Sequence, residues 1–226
     1  MTVKRNYGDS CGIARALDAV GERWALLIVR ELLLGAKRFT DLRAGLPRIG
    51  PDMLAARLRE LEDTGLVAQR RLPPPAARTV YELTARGREL EPVLHALGRW
   101  GSRQALRRDP PPLSPDAAVV AMQTMFEPDP AARPAVVTLR LDGYEFSLRA
   151  DAERLIATTG PGAAPVATGA VPAATGAAPA ATVETDPATL SAVLWYGLGV
   201  DQAIAEGRLA IAGDQPAARS LLNRYR

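Results

Sequence analysis

A lone cysteine and a lone histidine bound the reactive chemistry open to this chain of 226 residues. With Cys11 as the only thiol there is no internal disulfide and no cysteine-cluster zinc site, and with His95 as the only imidazole there is no multi-histidine metal centre. His95 sits in Leu94-His95-Ala96-Leu97, without an HExxH or GxSxG pattern, and reads as a structural or surface histidine. No catalytic constellation is present, so neither an enzyme, nor a cofactor, nor a metal is expected. Cys11 follows Ser10 and has Arg15 one turn on, which suits a redox-sensing thiol. The preferred reading is a small apolar side chain buried against a dimer helix, because no second cysteine exists to resolve a sulfenate.

The chemistry that the residue types do favour is contact with phosphates and base edges. Leu54, Leu58 and Leu61 mark the inward stripe of a helix, so Asp52, Ala55, Ala56 and Arg59, at i, i+3, i+4 and i+7, share the opposite face, with Met53 and Arg57 on a flank. An arginine there can make a bidentate contact to guanine, and an alanine methyl can meet a thymine methyl. Arg38, Thr40 and Arg48 flank the preceding turn and suit phosphates, while Arg70, Arg71 and Arg78 lie at the base of a hairpin that would track the backbone or minor groove. The competing reading of these arginines is solvated helix surface.

The elements that position them follow from periodicity. A helix capped by Ser10 is expected to run to Val20 and stop at Gly21; a second, buried helix covers Glu22 to Leu34, with Trp24, Leu27 and Ile28 in the core. Phe39 to Leu46 is a short helix, Pro47 to Gly50 a turn, and Pro51 opens the helix that Gly65 ends. Leu66 to Leu72 and Arg78 to Leu83 pair as strands around a tip at Pro73 to Ala77, with Val67 and Val80 inward. Thr84 then caps a helix reaching about Arg107, with Leu90, Val93, Leu94, Leu97 and Trp100 on one face. That order is a winged helix-turn-helix.

Cys11-Gly12-Ile13-Ala14-Arg15-Ala16-Leu17, Gly21-Glu22-Arg23-Trp24, Glu31-Leu32-Leu33-Leu34-Gly35 with Arg38-Phe39, Leu58-Arg59-Glu60-Leu61-Glu62, Gly65-Leu66-Val67, Tyr81-Glu82-Leu83-Thr84 with Gly87, and Trp100-Gly101 follow one another in unbroken order. Over residues 8 to 103 this resembles the HxlR family of bacterial, MarR-like transcriptional regulators. The resemblance implies a homodimer with two recognition helices in major grooves of operator DNA and two wings alongside, usually a repressor and sometimes an activator. The family's recognition helix usually begins Ser-Pro, whereas this chain has Gly50-Pro51-Asp52; the operator sequence therefore does not transfer.

Charge separates the chain into halves. Residues 1 to 108 hold 20 Lys/Arg against 12 Asp/Glu, whereas 109 to 226 hold 8 against 13, so the formal +3 conceals a basic half and an acidic half with different partners. The prolines of 109–115 mark the junction. In the acidic half a helix is expected over 116 to 126. A hairpin of Val137 to Leu141 and Tyr144 to Leu148 turns at Asp142-Gly143, and a helical run starts at Asp186. It continues through Asp201 to Ala205, and Leu209 to Gly213 is a strand before a last helix from Pro216 to Tyr225, giving an α+β pattern with one antiparallel sheet. Between them PVATGAV and PAATGAA repeat, a low-complexity insertion over 157–182 expected to be a mobile loop. The uncharged run 155–183 is too broken by Pro161, Pro165, Pro172 and Pro179 to span a membrane.

The segments Ala188-Thr189-Leu190 to Gly199, Asp201 to Leu209 and Ile211-Ala212-Gly213-Asp214 resemble a sterol-carrier-protein-like domain. That likeness implies a sheet and helices around an apolar cavity, with Leu190, Leu194, Trp195 and Leu198 as candidate lining; a simply packed core is the equal alternative. The expected architecture is therefore two domains: a mainly α winged helix-turn-helix for DNA binding and dimerisation over 1–108, a linker over 109–115, and an α+β sterol-carrier-protein-like domain over 116–226. With Lys4, Arg5 and Asp9 where a signal peptide would be apolar, the expected compartment is the cytoplasm, nucleoid-associated when bound to DNA. The expected function is a homodimeric regulator, a repressor, binding double-stranded DNA and sensing an apolar small-molecule effector, with no membrane partner. The alternative is a lipid or hydrophobic-ligand carrier with a degenerate DNA-binding half.

Overall fold

The computed structural model describes residues 6–73, 78–103, 113–159 and 179–225. By internal contacts the chain divides into two compact units, Met1–Leu94 and His95–Arg226.

In the first unit, α1 (Gly12–Val20), α2 (Ala25–Leu32), α3 (Phe39–Gly45) and α4 (Pro51–Asp63) precede a hairpin of β1 (Val67–Arg71) and β2 (Thr79–Leu83); α5 (Ala85–Arg88) follows, and the division between the units falls within α6 (Glu91–Gly101). Leucines at helical spacing fix the core: Ile28, Val29 and Leu32 of α2 meet Leu42 of α3, Leu54, Leu58 and Leu61 of α4, and Val67 and Leu83 of the hairpin. Each contributes roughly 1.5–3 kcal/mol on leaving water. Val67 and Val80 are both buried, but on opposite faces of the hairpin, because Val67 pairs with Leu83 and Val80 with Arg70. Leu66 is tied to its neighbours, accepting from Thr84 N at 3.1 Å, and Lys37 makes a two-way backbone bridge to Tyr81 at 2.7 and 2.9 Å that fastens the α2–α3 turn to the wing.

Several boundaries differ from expectation. Cys11, not Ser10, occupies the cap position of α1, and no side chain caps it. The second helix begins three residues late because Trp24 adopts φ 80°, a left-handed conformation costing about 1–2 kcal/mol for a non-glycine residue. That kink rotates the register, leaving Ile28 fully buried, Trp24 half-buried and Leu27 exposed rather than in the core. The single helix expected from Thr84 is two, α5 and α6, since α5 ends after four residues at Glu89. Thr84 does cap it, accepting from Gly87 N at 3.0 Å. The wing tip at 74–77 and the residues 104–112, including most of the expected linker and the end of the expected long helix, lie outside the described residues.

In the second unit, α7 (Pro115–Met125), β3 (Ala135–Leu141), β4 (Tyr144–Ala150), β5 (Leu155–Thr159), β6 (Ala181–Thr185), α8 (Pro187–Trp195), α9 (Val200–Ala205), β7 (Leu209–Gly213) and α10 (Gln215–Leu222) build one five-stranded sheet ordered β5-β4-β3-β6-β7. The Asp142-Gly143 turn has φ 49° and 81°, the pair of positive angles that a two-residue hairpin needs. Alternate residues, Val137, Leu139 and Leu141 with Phe146 and Leu148, are buried on one face, onto which α7 and α10 pack. The sheet is mixed rather than antiparallel, because β6 pairs with β3 in parallel. Strands β5 and β6 take up the ends of the segment expected to be a loop over 157–182; residues 160–178 lie outside the described ones.

Candidate nucleic-acid interface

Helix α4 is placed by burial on one side and by ion pairs at its edges. Its three leucines are buried, and the outward side presents exposed Asp52, Met53 and Arg59 with half-buried Ala55 and Ala56 between them. Pro51 stands at the first helical position and Asp52 in the first turn, where a carboxylate favours the positive end of the helix dipole. The cap residue, Gly50, has φ −70° and ψ 150° and offers no side-chain oxygen to the helix N–H groups.

The arginines fall into two groups. Arg57 is 7% exposed, pairing with Glu60 on the same helix and, at 3.6 Å, with Glu22 ahead of α2. Its Nη2 donates to Met53 Sδ at 3.6 Å, and its Nε is buried without a partner. Arg57 thus clamps α4 to the start of α2 and lies off the face that Arg59 occupies. Arg38 donates from Nε and Nη2 to the two oxygens of Asp41 at 2.9 and 2.8 Å, a fork that holds the first turn of α3. Burial alone raises the Asp41 carboxyl, but the side-chain and backbone hydrogen bonds from Arg38, with the charges of Arg38 and Lys37, outweigh it and hold that carboxyl below its ordinary value. Arg70 makes the same bidentate contact across the wing to Glu82, at 3.0 Å for both bonds. Arg48, Arg59 and Arg71 are exposed and make no ion pair to a described residue. Thr40 and Arg78 are also exposed.

The carboxylates that sort the arginines escaped the reading of single residues. Arg38/Asp41 and Arg57/Glu60 stand three apart on a helix, and Arg70/Glu82 follows from the hairpin register, so those signals were present. Glu31 had none. It is fully buried in α2, accepts from Arg30 Nη2 at 2.8 Å and Lys37 Nζ at 3.4 Å, and packs so tightly on Gly45 that a Cβ there would fall 2.4 Å from Oε2. It fixes α3 against α2.

Other candidates lie apart from this surface. Cys11 is exposed in the single chain. His95 is half-buried against Thr124 of α7, whose hydroxyl donates to Val120 O at 2.7 Å and so accepts from His95 Nδ1 at 2.8 Å, a structural role. Leu190 and Leu194 are buried in α8, while Trp195 and Leu198 are half-buried; Trp195 Nε1 has no partner. Among the described residues no helix is long and apolar enough to cross a membrane.

A family model described as HxlR-like helix-turn-helix matches residues 19–109. YvaP of Bacillus subtilis (strain 168), named an uncharacterized HTH-type transcriptional regulator, is 38% identical over 98 residues, covering 43% of this chain and 91% of its own length. Rv3095 of Mycobacterium tuberculosis, named in the same way, is 40% identical over 111 residues, covering 48% of this chain and 67% of its own. The solved structure of the reduced form of the transcriptional regulator YodB from B. subtilis superposes with a TM-score of 0.39 at 32% identity, over 45% of this chain and 100% of that one.

Proposed function

Because the chain belongs to the HxlR-like helix-turn-helix family of transcriptional regulators, whose members are not enzymes, we propose that it binds operator DNA as a homodimer and acts as a repressor. The single observation that carries the DNA-contact reading is the outward face of α4, where Asp52, Met53 and Arg59 stand exposed beside two alanines small enough to admit a groove wall. Arg59 reads base edges or a phosphate; Arg48 and Thr40 hold the backbone at the turn, and Arg71 and Arg78 follow it along the wing, while Arg38 and Arg70, forked onto Asp41 and Glu82, lend it only the N–H groups those carboxylates leave over. Arg57 serves by positioning α4.

Dimerisation is supported by apolar side chains left in water. Val93, Leu97 and Trp100 stand exposed on α6 at i, i+4 and i+7, and Ile13 and Leu17 on α1. A dimer would set two copies of α4 about one duplex turn, ~34 Å, apart. We assign DNA binding and dimerisation to 1–108, a linker to 109–115, and a sterol-carrier-protein-like role to 116–226, whose helix-covered sheet suits sensing of an apolar effector near Leu190, Leu194, Trp195 and Leu198. The site of action is the cytoplasm.

Fluorescence anisotropy on a duplex from upstream of the chain's own gene tests the reading. Affinity should fall steeply with salt, and Arg59→Ala or Arg48→Ala should cost about 1–3 kcal/mol of binding with an unchanged melting temperature. Unaltered affinity in both variants overturns this face as the reader.

A further inference from the structure

A carboxylate leads the face that α4 would lay against a duplex. Asp52 is exposed in the first turn and makes no hydrogen bond or ion pair to a described residue. Ala55 and Ala56 follow it on the same face, and Met53 stands exposed on the flank. The two arginines of α4 are both remote from that leading end. Arg57 is withdrawn between Glu60 and Glu22, and Arg59 stands seven residues after Asp52, about 10 Å along the axis or about three base steps. A helix-turn-helix reader enters the major groove by the first turns of its second helix. The groups that reach base edges here are thus an acceptor and a set of methyls, with the guanidinium behind them towards the phosphates.

An ionised carboxylate only accepts hydrogen bonds. Phosphates repel it, as do N7 and O6 of guanine and O4 of thymine, and enclosing it in an interface costs free energy unless a donor meets it. The major groove offers two donors, adenine N6 and cytosine N4. Adenine N6 lies between two acceptors, its own N7 and O4 of the paired thymine. Cytosine N4 has guanine O6 on one side and only the C5–H on the other, so cytosine is the base that a carboxylate fits. The methyls of Ala55 and Ala56 and the thioether of Met53 suit the thymine methyl as an apolar neighbour.

We propose that Asp52 is the specificity-determining residue of α4 and selects one cytosine in each half-site through its N4 amino group. The assignment rests on the reading of α4 as the DNA-contacting helix and goes beyond it by naming the base that is read.

Enrichment of randomised duplexes by the full chain, followed by anisotropy on the enriched duplex and its three variants at one base pair, tests it. The enriched sites should share a cytosine, and replacing it should weaken binding about tenfold. Asp52→Asn should move the preference at that pair to adenine, whose N6 and N7 match a carboxamide. Asp52→Ala should bind all four duplexes about equally and gain affinity for unrelated DNA, since the repulsion by phosphates is gone. Each comparison is a ratio of affinities for one protein, so any loss of helix stability cancels. N4-methylcytosine, whose methyl takes the place of the groove-facing hydrogen, should bind about tenfold more weakly than cytosine, whereas 5-methylcytosine keeps the amino group and should bind as cytosine does. An undiminished cytosine preference in Asp52→Asn and Asp52→Ala, or full affinity for N4-methylcytosine, overturns the assignment and leaves α4 as the reader. No enrichment of any sequence overturns the reading of α4 and the assignment with it.

Discussion

Arginines of equal charge do unequal work around α4, and the carboxylate beside each decides which. Arg59 is exposed and unpaired to any described residue, whereas Arg57 is enclosed between Glu22 and Glu60. Arg57→Ala should therefore lower stability rather than contact energy. The carboxylates it leaves are about half-exposed, 48% and 51%, and rehydrate. The expected loss is thus about 1–2 kcal/mol, short of the 3–5 that a stranded buried charge costs, and urea denaturation measures it. Asp41 makes a pH prediction. A carboxyl held lower in the folded chain than in the unfolded one contributes stability that is full above its ordinary value of about 4 and is lost as pH falls through the folded value. Asp41→Asn should flatten the acid limb of stability against pH in that range and leave the slope near neutrality unchanged.

The ends of the elements are where single substitutions act most cleanly. Gly50 caps α4 in an extended conformation that any residue adopts, and a Cβ built there meets nothing within 4 Å. Gly50→Ser should thus be accepted, adding a hydroxyl acceptor and a few tenths of a kcal/mol on thermal unfolding, about the margin between glycine and serine at a cap. Thr84 is the opposite case. Its Oγ1 accepts from Gly87 N and donates to Gly65 O at 2.7 Å, joining the end of α4 to α5. Thr84→Val should cost about 1–2 kcal/mol by leaving both partners unmet, and Thr84→Ser should restore most of it.

At the scale of the molecule, the charge division and the exposed apolar faces make the strongest demands. Trp100 is 60% exposed and Leu97 46%, an apolar face that suits the proposed dimer surface. Leu97→Glu with Trp100→Glu should shift sedimentation equilibrium from dimer to monomer and weaken operator binding, because one α4 then engages one half-site alone. Binding by the wild type should show a log–log salt slope of about −0.9 for each phosphate contacted, carried by the basic half.

Much of this protein was legible in its sequence. The leucines of α4, the alternating apolar residues of β3 and the Asp-Gly turn that follows them are dictated by local periodicity and backbone freedom, and neither depends on distant residues. The motif order carried the family for the same reason. What the sequence left open was settled by contacts between segments far apart in the chain. The left-handed Trp24 delayed the start of α2 and moved Leu27 outward; β6 joined β3 in parallel across forty residues; and Glu22 and Glu82 took Arg57 and Arg70 from the pool of unpaired cations. Residue type and spacing set which side chains are able to meet a phosphate, but pairing is a matter of distance through space, and only tertiary structure fixes that.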